Sequence, residues 1–309
     1  MIKFGTDGWR AIISDEFTFT NVKKVAQAIA LYVHGRDLAS RPIVIGYDAR
    51  FLADKFAEAV ALVMENAGID VLLCERDTPT PVVAWEVLDR KGCGAVMLTA
   101  SHNPPQYCGM KFIPEYAGPA NQQITKEIEA NLLIDFAVEA HRKGKIERID
   151  PRERYTVYIE KFFDLDAIRK AKLKVVIDPM FGSGRNFLDH ILKRFGVEAE
   201  EIHGYRDVLF GGQNPEPEEK TLGELVAKVK ELKASAGLAM DGDADRFGVV
   251  DENGAFYTAN QTIAMAYEYL LTDKGMNGPA ARSIATTHMV DAVAALHHQK
   301  VFETPVGFK

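Results

Sequence analysis

Ala95-Val96-Met97-Leu98 runs directly into Thr99-Ala100-Ser101-His102-Asn103-Pro104-Pro105. Four consecutive apolar residues ahead of a polar, proline-closed stretch describe a buried strand that ends in a loop. Pro104 and Pro105 forbid both helix and continued strand, because proline fixes φ and removes a backbone donor. The strand therefore delivers Ser101 to a stiff turn at the end of a sheet. A hydroxyl held there is placed to act as a nucleophile, although turns also use serine for ordinary hydrogen bonding.

A second junction of the same kind lies far downstream. Ala236-Gly237-Leu238-Ala239-Met240 feeds Asp241-Gly242-Asp243-Ala244-Asp245-Arg246. Three carboxylates at alternate positions cannot stay unpaired on a buried strand. On a loop they can converge on one hard cation, which takes oxygen ligands. Two other readings stay open. The spacing opens like an EF-hand and Glu252 falls at its twelfth position, but Arg246 stands where that loop needs glycine and the flanks look like strands. Alternatively, one aspartate is itself a nucleophile at a strand end, as in Asp-x-Asp phosphatases.

The same strand–turn–helix pattern recurs at Ile43-Val44-Ile45-Gly46-Tyr47-Asp48, Val175-Val176-Ile177-Asp178-Pro179 and Ser283-Ile284-Ala285-Thr286-Thr287, with helices starting near Leu52, Arg185 and Met289. Such alternation argues for an α/β protein with mostly parallel sheets sandwiched by helices, built as consecutive related units. Residues 127–143 read as a helix. The charged stretch 142–154 reads as the first boundary, and the hairpin closed by Asp251-Glu252-Asn253-Gly254 precedes the second. The units are then 1–148, 149–254 and 255–309. The third has a helix over 260–271, one strand, one helix and a final strand. It is read as incomplete, with an uncovered sheet edge open to self-association.

A chain of 309 residues suits two or more domains, and 47% hydrophobic with 26% charged residues is a soluble globular composition. A net charge of -7 argues against a nucleic-acid partner. No apolar run approaches the ~20 residues of a membrane span, and the first residues carry Asp7 and Arg10 where a signal peptide is apolar. Cys74, Cys93 and Cys108 have no metal-like spacing and suit a reducing cytoplasm.

In order and separation, these stretches resemble the α-D-phosphohexomutases, the phosphoglucomutase/phosphomannomutase family. The resemblance is carried by Phe4-Gly5-Thr6-Asp7-Gly8-Trp9-Arg10, Thr99 to Pro105, Gly109-Met110-Lys111, Asp241 to Arg246 and Thr304-Pro305-Val306-Gly307-Phe308-Lys309. It runs the whole length of the chain. It implies an isomerase that interconverts hexose 1-phosphate and hexose 6-phosphate through a hexose 1,6-bisphosphate. Ser101 would be the phosphoserine carrier in the first unit. Mg²⁺ would be held by Asp241, Asp243 and Asp245 of the second unit together with Ser101. The third unit would begin a sugar-binding domain. The family's sugar-recognition pattern Gly-Glu-x-Ser-Gly is absent, so the chain reads as a fragment of low activity.

The resemblance also assigns roles to single side chains. Lys111 would exchange a proton with the sugar hydroxyl, Arg10 would stabilise transferred charge, and both are expected on glycine-bearing turns away from the core. His102 joins the candidate catalytic set as a phosphate partner, and Arg246, Arg50 and Lys309 are the candidate phosphate contacts, Arg50 by adding charge beside a helix N-terminus. Two positions depart from the family: Cys108, where asparagine is usual and loop hydrogen bonding is expected to weaken, and Ala53, where a capping serine is common. Gly182-Ser183-Gly184 lacks the lysine of a P-loop and reads as a tight turn. His288, His297 and His298 have no partner at metal spacing. Phosphoglucosamine mutase is the nearest alternative, with an Asp-nucleophile phosphatase or a non-catalytic metal- and phosphate-binding fragment as readings of another class.

Overall fold

The computed structural model describes residues 2–5, 8–134, 140 and 142–307. The first unit comprises β1 (Trp9–Ile12), α1 (Phe19–Gly35), β2 (Ile43–Tyr47), α2 (Ala53–Asn66), β3 (Val71–Cys74), α3 (Thr80–Asp89), β4 (Gly94–Leu98), β5 (Tyr107–Pro114), α4 (Gln122–Asn131) and β6 (Ile146–Ile149). One six-stranded sheet runs β1-β5-β4-β2-β3-β6. β2 pairs in parallel with β3 and β4, and β6 in parallel with β3, whereas β5 is antiparallel to β1 and β4. Every residue of β2 and β4 is buried, as strands covered on both faces require. α1, α2 and α4 cover one face with Val22, Ile29, Phe56, Val60 and Ile128, and α3 covers the other with Val83 and Val87.

The second unit adds α5 (Arg152–Glu160), α6 (Leu165–Ala171), β7 (Lys174–Asp178), α7 (Leu188–Phe195), β8 (Glu198–Glu201), α8 (Gly223–Leu232), β9 (Ala236–Met240), β10 (Phe247–Asp251) and β11 (Phe256–Tyr257). Its sheet runs β11-β10-β9-β7-β8. The third unit is α9 (Ala259–Thr272), β12 (Ala280–Ser283), α10 (Met289–Leu296) and β13 (Val301–Thr304), with β12 and β13 paired in parallel. Its core is small: Ala264, Leu271, Val290 and Ala294 are buried, while Met265, Tyr269, Ile284, Leu296 and Phe302 are exposed.

Both larger sheets reverse direction at their centre. The chain leaves β2 for β3 on one side and returns to β4 on the other. In the same way it leaves β7 for β8 and returns to β9. The crevice at such a switch point, beyond the carboxyl ends of the strands, is where open α/β sheets bind ligands. Ser101 follows β4 and Asp241 follows β9, so each unit presents its chemical loop at its own switch point.

Three readings of the sequence need correction. The helix expected over 127–143 is α4, which begins earlier because the Asn121 side chain accepts from the Ile124 N–H. The apolar Leu132-Leu133-Ile134 prolonged its pattern, and the remainder of that stretch lies partly outside the described residues. The charged stretch taken for a boundary contains β6, whose Glu147 and Arg148 are the charges an edge strand carries. A boundary at 148/149 therefore falls inside a strand of the first sheet. The strand expected over 283–287 lies earlier, at β12. Arg282 on it is held by Asp291 and Glu303 and is nearly buried, so a charged residue sits where the pattern promised an apolar one.

Candidate active site

Ser101 has a φ of 52°, in the left-handed region that serine rarely adopts. Such a residue costs about 1–3 kcal/mol and persists only where its surroundings over-determine it. Here they do. The Ser101 N–H donates to Thr99 Oγ1 at 2.8 Å, and Thr99 Oγ1 donates to the buried Asp48 Oδ2 at 2.6 Å. The Ser101 side chain is 1% exposed, and its Oγ donates to Asp241 Oδ2 at 3.0 Å, across the junction of the two units. His102 Nδ1 stands 3.4 Å from the same Oγ. Partial burial, with the positive charges of Arg246 and Arg10, holds His102 below the usual imidazole range.

The acidic stretch is the turn of the antiparallel hairpin β9–β10, so the flanks are strands and the EF-hand reading falls. Asp241 Oδ1 folds the turn by accepting from the N–H groups of Asp245 (3.0 Å) and Arg246 (3.1 Å). Asp243 is pinned from the first unit. Thr80, the first residue of α3, donates its N–H to the Asp243 carbonyl (2.9 Å) and its hydroxyl to Oδ2 (2.7 Å). The positive end of α3 thereby faces an anionic loop. Lys111 Nζ bridges Asp243 Oδ2 at 3.0 Å and Asp245 Oδ2 at 3.2 Å. Gly242 is required by closeness: a Cβ there would stand 2.7 Å from the Ser101 carbonyl oxygen and 3.1 Å from the Pro215 ring.

One oxygen each from Asp241, Asp243 and Asp245 lies within 4.8 Å of the others, so the three could hold one metal ion. Asp243 Oδ1 is buried with no hydrogen-bond partner among the described residues. A buried carboxylate oxygen left unpaired is costly, and a hard cation would satisfy it. Burial and the charges of Asp243 and Asp245 push Asp241 up to about 8. Burial opposes charge on Asp243 as well, but Lys111 and the Thr80 hydroxyl outweigh it and hold the group below the usual carboxylate range. A cation at this position relieves the repulsion that raises Asp241.

The structure brings Ser101, His102, Lys111, Asp241, Asp243 and Asp245 together. Arg10 lies beside them on β1, donating to Asn103 Oδ1 at 2.6 Å. Arg246 stands at the rim, paired with Glu216 at 2.9 Å. Lys309 lies outside the described residues. Lys111 does not sit on a turn. It is inside β5, paired with Met97 and 5% exposed. Gly109 is a strand glycine that lets backbones meet, since a Cβ there would stand 2.5 Å from the Thr99 carbonyl oxygen. Arg50 is not a phosphate contact. Its side chain is fully buried, and all five of its N–H donors go to Asp48 and to main-chain carbonyls.

Cys108 faces the core beside Met110 and Phe112, on the opposite side of β5 from Lys111, so it takes nothing from the site. Ala53 starts α2 without a side-chain cap. The Gly182 turn packs on the acidic loop, with Ser183 N–H donating to the Gly242 carbonyl at 3.0 Å. His297 pairs with Glu268, and His288 and His298 are exposed. The sequence reading assigned Thr99, Asp48 and Asn103 no role of their own and did not name Thr80. Thr80 alone carried a signal there, being flanked by prolines at the start of a helix.

No helix among the described residues is long and apolar enough to cross a membrane. The family models for phosphoglucomutase/phosphomannomutase α/β/α domains I, II and III match residues 1–136, 153–254 and 258–309. A Thermococcus kodakarensis phosphoglucomutase/phosphomannomutase is 32% identical over 98% of this chain and 67% of its own length. A Methanosphaera stadtmanae protein named a probable phosphoglucosamine mutase is 34% identical over 98% of this chain and 65% of its own length. The chain thus spans about two thirds of the curated relatives it matches. A solved structure from Thermus thermophilus, which carries a provisional phosphomannomutase name, superposes with a TM-score of 0.91 at 36% identity, over 99% of this chain and 70% of the other. With three consecutive domain models matched in order, the chain belongs to the phosphoglucomutase/phosphomannomutase family, whose members are intramolecular phosphotransferases.

Proposed function

We propose that the chain is a phosphohexomutase that interconverts hexose 1-phosphate and hexose 6-phosphate, with Ser101 as phosphoryl carrier and a hexose 1,6-bisphosphate as intermediate. The observation that carries this reading is the contact of Ser101 Oγ with Asp241 Oδ2 at 3.0 Å, inside a cluster that also offers Asp243 Oδ1, which has no hydrogen-bond partner among the described residues. A nucleophile bound to a cation's ligand set suits phosphoryl transfer, which needs positioning and charge neutralisation more than covalent help. Asp241, Asp243 and Asp245 would hold Mg²⁺ with an oxygen of Ser101 or its phosphate. Bound there, the ion neutralises charge on the transferring group.

From phosphoserine, a sugar hydroxyl oxygen bonds to phosphorus as the bond to Ser101 Oγ breaks, and the hydroxyl proton passes to Lys111 Nζ once the ammonium that pairs with Asp243 and Asp245 has released a proton to solvent. In the return transfer, Ser101 Oγ takes the other phosphoryl group of the bisphosphate and the proton goes back to the sugar oxygen. Arg10 and Arg246 supply fixed positive charge, and His102 lies within reach of a phosphate on Ser101. The three cysteines are free and buried, which suits a reducing cytoplasm.

A second reading, phosphoglucosamine mutase, is favoured by the Methanosphaera stadtmanae relative. Coupled assays with glucose, mannose and glucosamine 1-phosphates and catalytic bisphosphate separate the two. We expect turnover of at least one sugar phosphate, lost on chelation of divalent ions. A folded chain that turns over none of the three contradicts the proposal.

Gly242→Ala tests the junction of the two loops. The backbone oxygen of Ser101 cannot move aside cheaply, so the hairpin must retreat. Cation binding should persist, because all three carboxylates move together. Phosphorylation of Ser101 by the bisphosphate should slow on the order of 10–100-fold, since a misplacement of about 1 Å can cost a hundredfold. Unchanged labelling would show that the contact does not matter.

The exposed apolar residues of α9, α10 and β13 make self-association through the third unit part of this reading. Sedimentation should show a concentration-dependent dimer that Leu296→Lys with Phe302→Lys disperses. A monomer at all concentrations removes it.

A further inference from the structure

We propose that Arg50 is a positioning residue for Ser101, acting through the main chain of the loop rather than on the substrate. The inference rests on the phosphoserine reading above and assigns a residue that the reading does not use. Arginine presents five N–H donors in one planar fork. In Arg50 all five are spent. Nε donates to Asp48 Oδ2 at 3.1 Å. Nη1 donates to the carbonyls of Pro104 (2.8 Å) and Tyr107 (2.9 Å). Nη2 donates to the carbonyls of Ser101 (2.8 Å) and Asn103 (2.7 Å).

Four carbonyls of one short loop thus converge on a single buried cation. Apart from the Pro104 carbonyl, which also accepts the Tyr107 N–H at 3.1 Å, the loop offers them few donors of its own, because Pro104 and Pro105 have no N–H and the turn interrupts sheet pairing. The other end of the arrangement is Asp48. It accepts from Arg50 Nε, from the Arg50 N–H at 3.0 Å and from the Thr99 hydroxyl. Thr99 Oγ1 in turn accepts the Ser101 N–H. Both the N–H and the C=O of Ser101 therefore trace to the Arg50–Asp48 pair, which explains how serine is kept at a φ of 52°.

The second unit closes this arrangement from behind. The Phe210 ring centroid lies 5.1 Å from Arg50 Cζ. Arg206 donates to the carbonyls of Ala49 (3.1 Å) and Arg50 (3.0 Å). The unit that carries the acidic loop thereby holds the brace of the serine loop. A lysine at position 50 keeps the charge but concentrates three donors on one atom and cannot span four carbonyls.

The test uses Arg50→Lys and Thr99→Val in the whole 1–309 chain. Three quantities are measured: phosphoryl transfer from glucose 1,6-bisphosphate to Ser101 per folded molecule, Mg²⁺ affinity by calorimetry, and amide exchange over residues 99–108. In Arg50→Lys, exchange of that segment should rise about tenfold while the rest of the first sheet stays protected. Labelling should slow on the order of 10–100-fold at saturating bisphosphate, with the half-saturating concentration and the Mg²⁺ affinity within about twofold of wild type. Thr99→Val keeps the buried ion pair and should show a smaller change of the same kind, so it decides the matter if Arg50→Lys does not fold. Labelling at the wild-type rate per folded molecule overturns the inference and leaves the proposed function standing. If wild-type Ser101 takes no phosphate, the proposed function fails, and the exchange measurement alone decides: unchanged protection over residues 99–108 overturns the brace as well.

Discussion

Ser101→Ala is expected to lower mutase turnover by roughly 10⁴ to 10⁶, the scale seen when the nucleophile of a cooperating constellation is removed. Alanine keeps the Cβ and leaves the Thr99–Asp48 and Arg50 contacts to the main chain in place. The fold should survive, since only the Ser101 Oγ contacts with Asp241 Oδ2 and His102 Nδ1 are lost. Mg²⁺ should still bind through Asp241, Asp243 and Asp245, with affinity lowered by the loss of one neutral ligand. Steady-state assay and calorimetry on the same preparation check this. A variant that retains a tenth of the activity would deny the serine a covalent role. A variant that loses activity and cation binding together would make it a ligand only.

Asp243→Asn should remove most of the response to divalent ions. The carboxylate is buried, one oxygen is engaged by Thr80 and Lys111, and the other has no partner among the described residues. Asparagine leaves an oxygen but no charge, and we expect Mg²⁺ affinity to fall on the order of 100-fold, the upper end of what single changes around a metal cost. The thermal consequence follows from mass action. At a hundred times the wild-type dissociation constant, Mg²⁺ stabilises the wild type by about 2.7 kcal/mol but a hundredfold weaker binder by about 0.4 kcal/mol. The cation-free variant should also be somewhat less stable than the cation-free wild type. Asp243 attracts Lys111 at 3.0 Å, and Coulomb energy falls with distance, so this outweighs repulsion from carboxylates farther away. Thermal unfolding with and without Mg²⁺ reads both effects. An equal rise of Tm with Mg²⁺ in the two proteins would exclude Asp243 as a ligand.

The parts of the fold legible in the sequence are those buried on both sides. β4, β2 and β7 are runs of apolar residues because central parallel strands meet helices on both faces, and their ends locate the loops of Ser101 and Asp48. β9 was legible as an apolar run as well, although only Gly237 and Ala239 of it are buried. β6 was not, because an edge strand is under pressure to carry charge and so looks like a linker.

In the site, the covalent and ligand residues were legible because their chemistry demands particular side chains in a short span. Residues that act through the main chain were not. Arg50 meets carbonyls more than fifty positions away, and a carbonyl acceptor leaves no trace in residue type. Lys111 was misplaced onto a turn because Gly109 suggested one, whereas that glycine marks a close approach between strands. Thr80 reaches Asp243 only because α3 of one unit begins against the hairpin of the other, a relation that no local pattern encodes.

The central claim is that Ser101, and not a carboxylate of the acidic loop, carries the phosphoryl group. Incubation of the folded chain with labelled glucose 1,6-bisphosphate, followed by peptide mapping, tests it directly. The account predicts one acid-stable phosphomonoester on Ser101 that is discharged by unlabelled hexose phosphate in the presence of Mg²⁺. An acid-labile, hydroxylamine-sensitive label on Asp241 or Asp243, with Ser101 unmodified, would contradict it and point to an aspartate-nucleophile phosphatase.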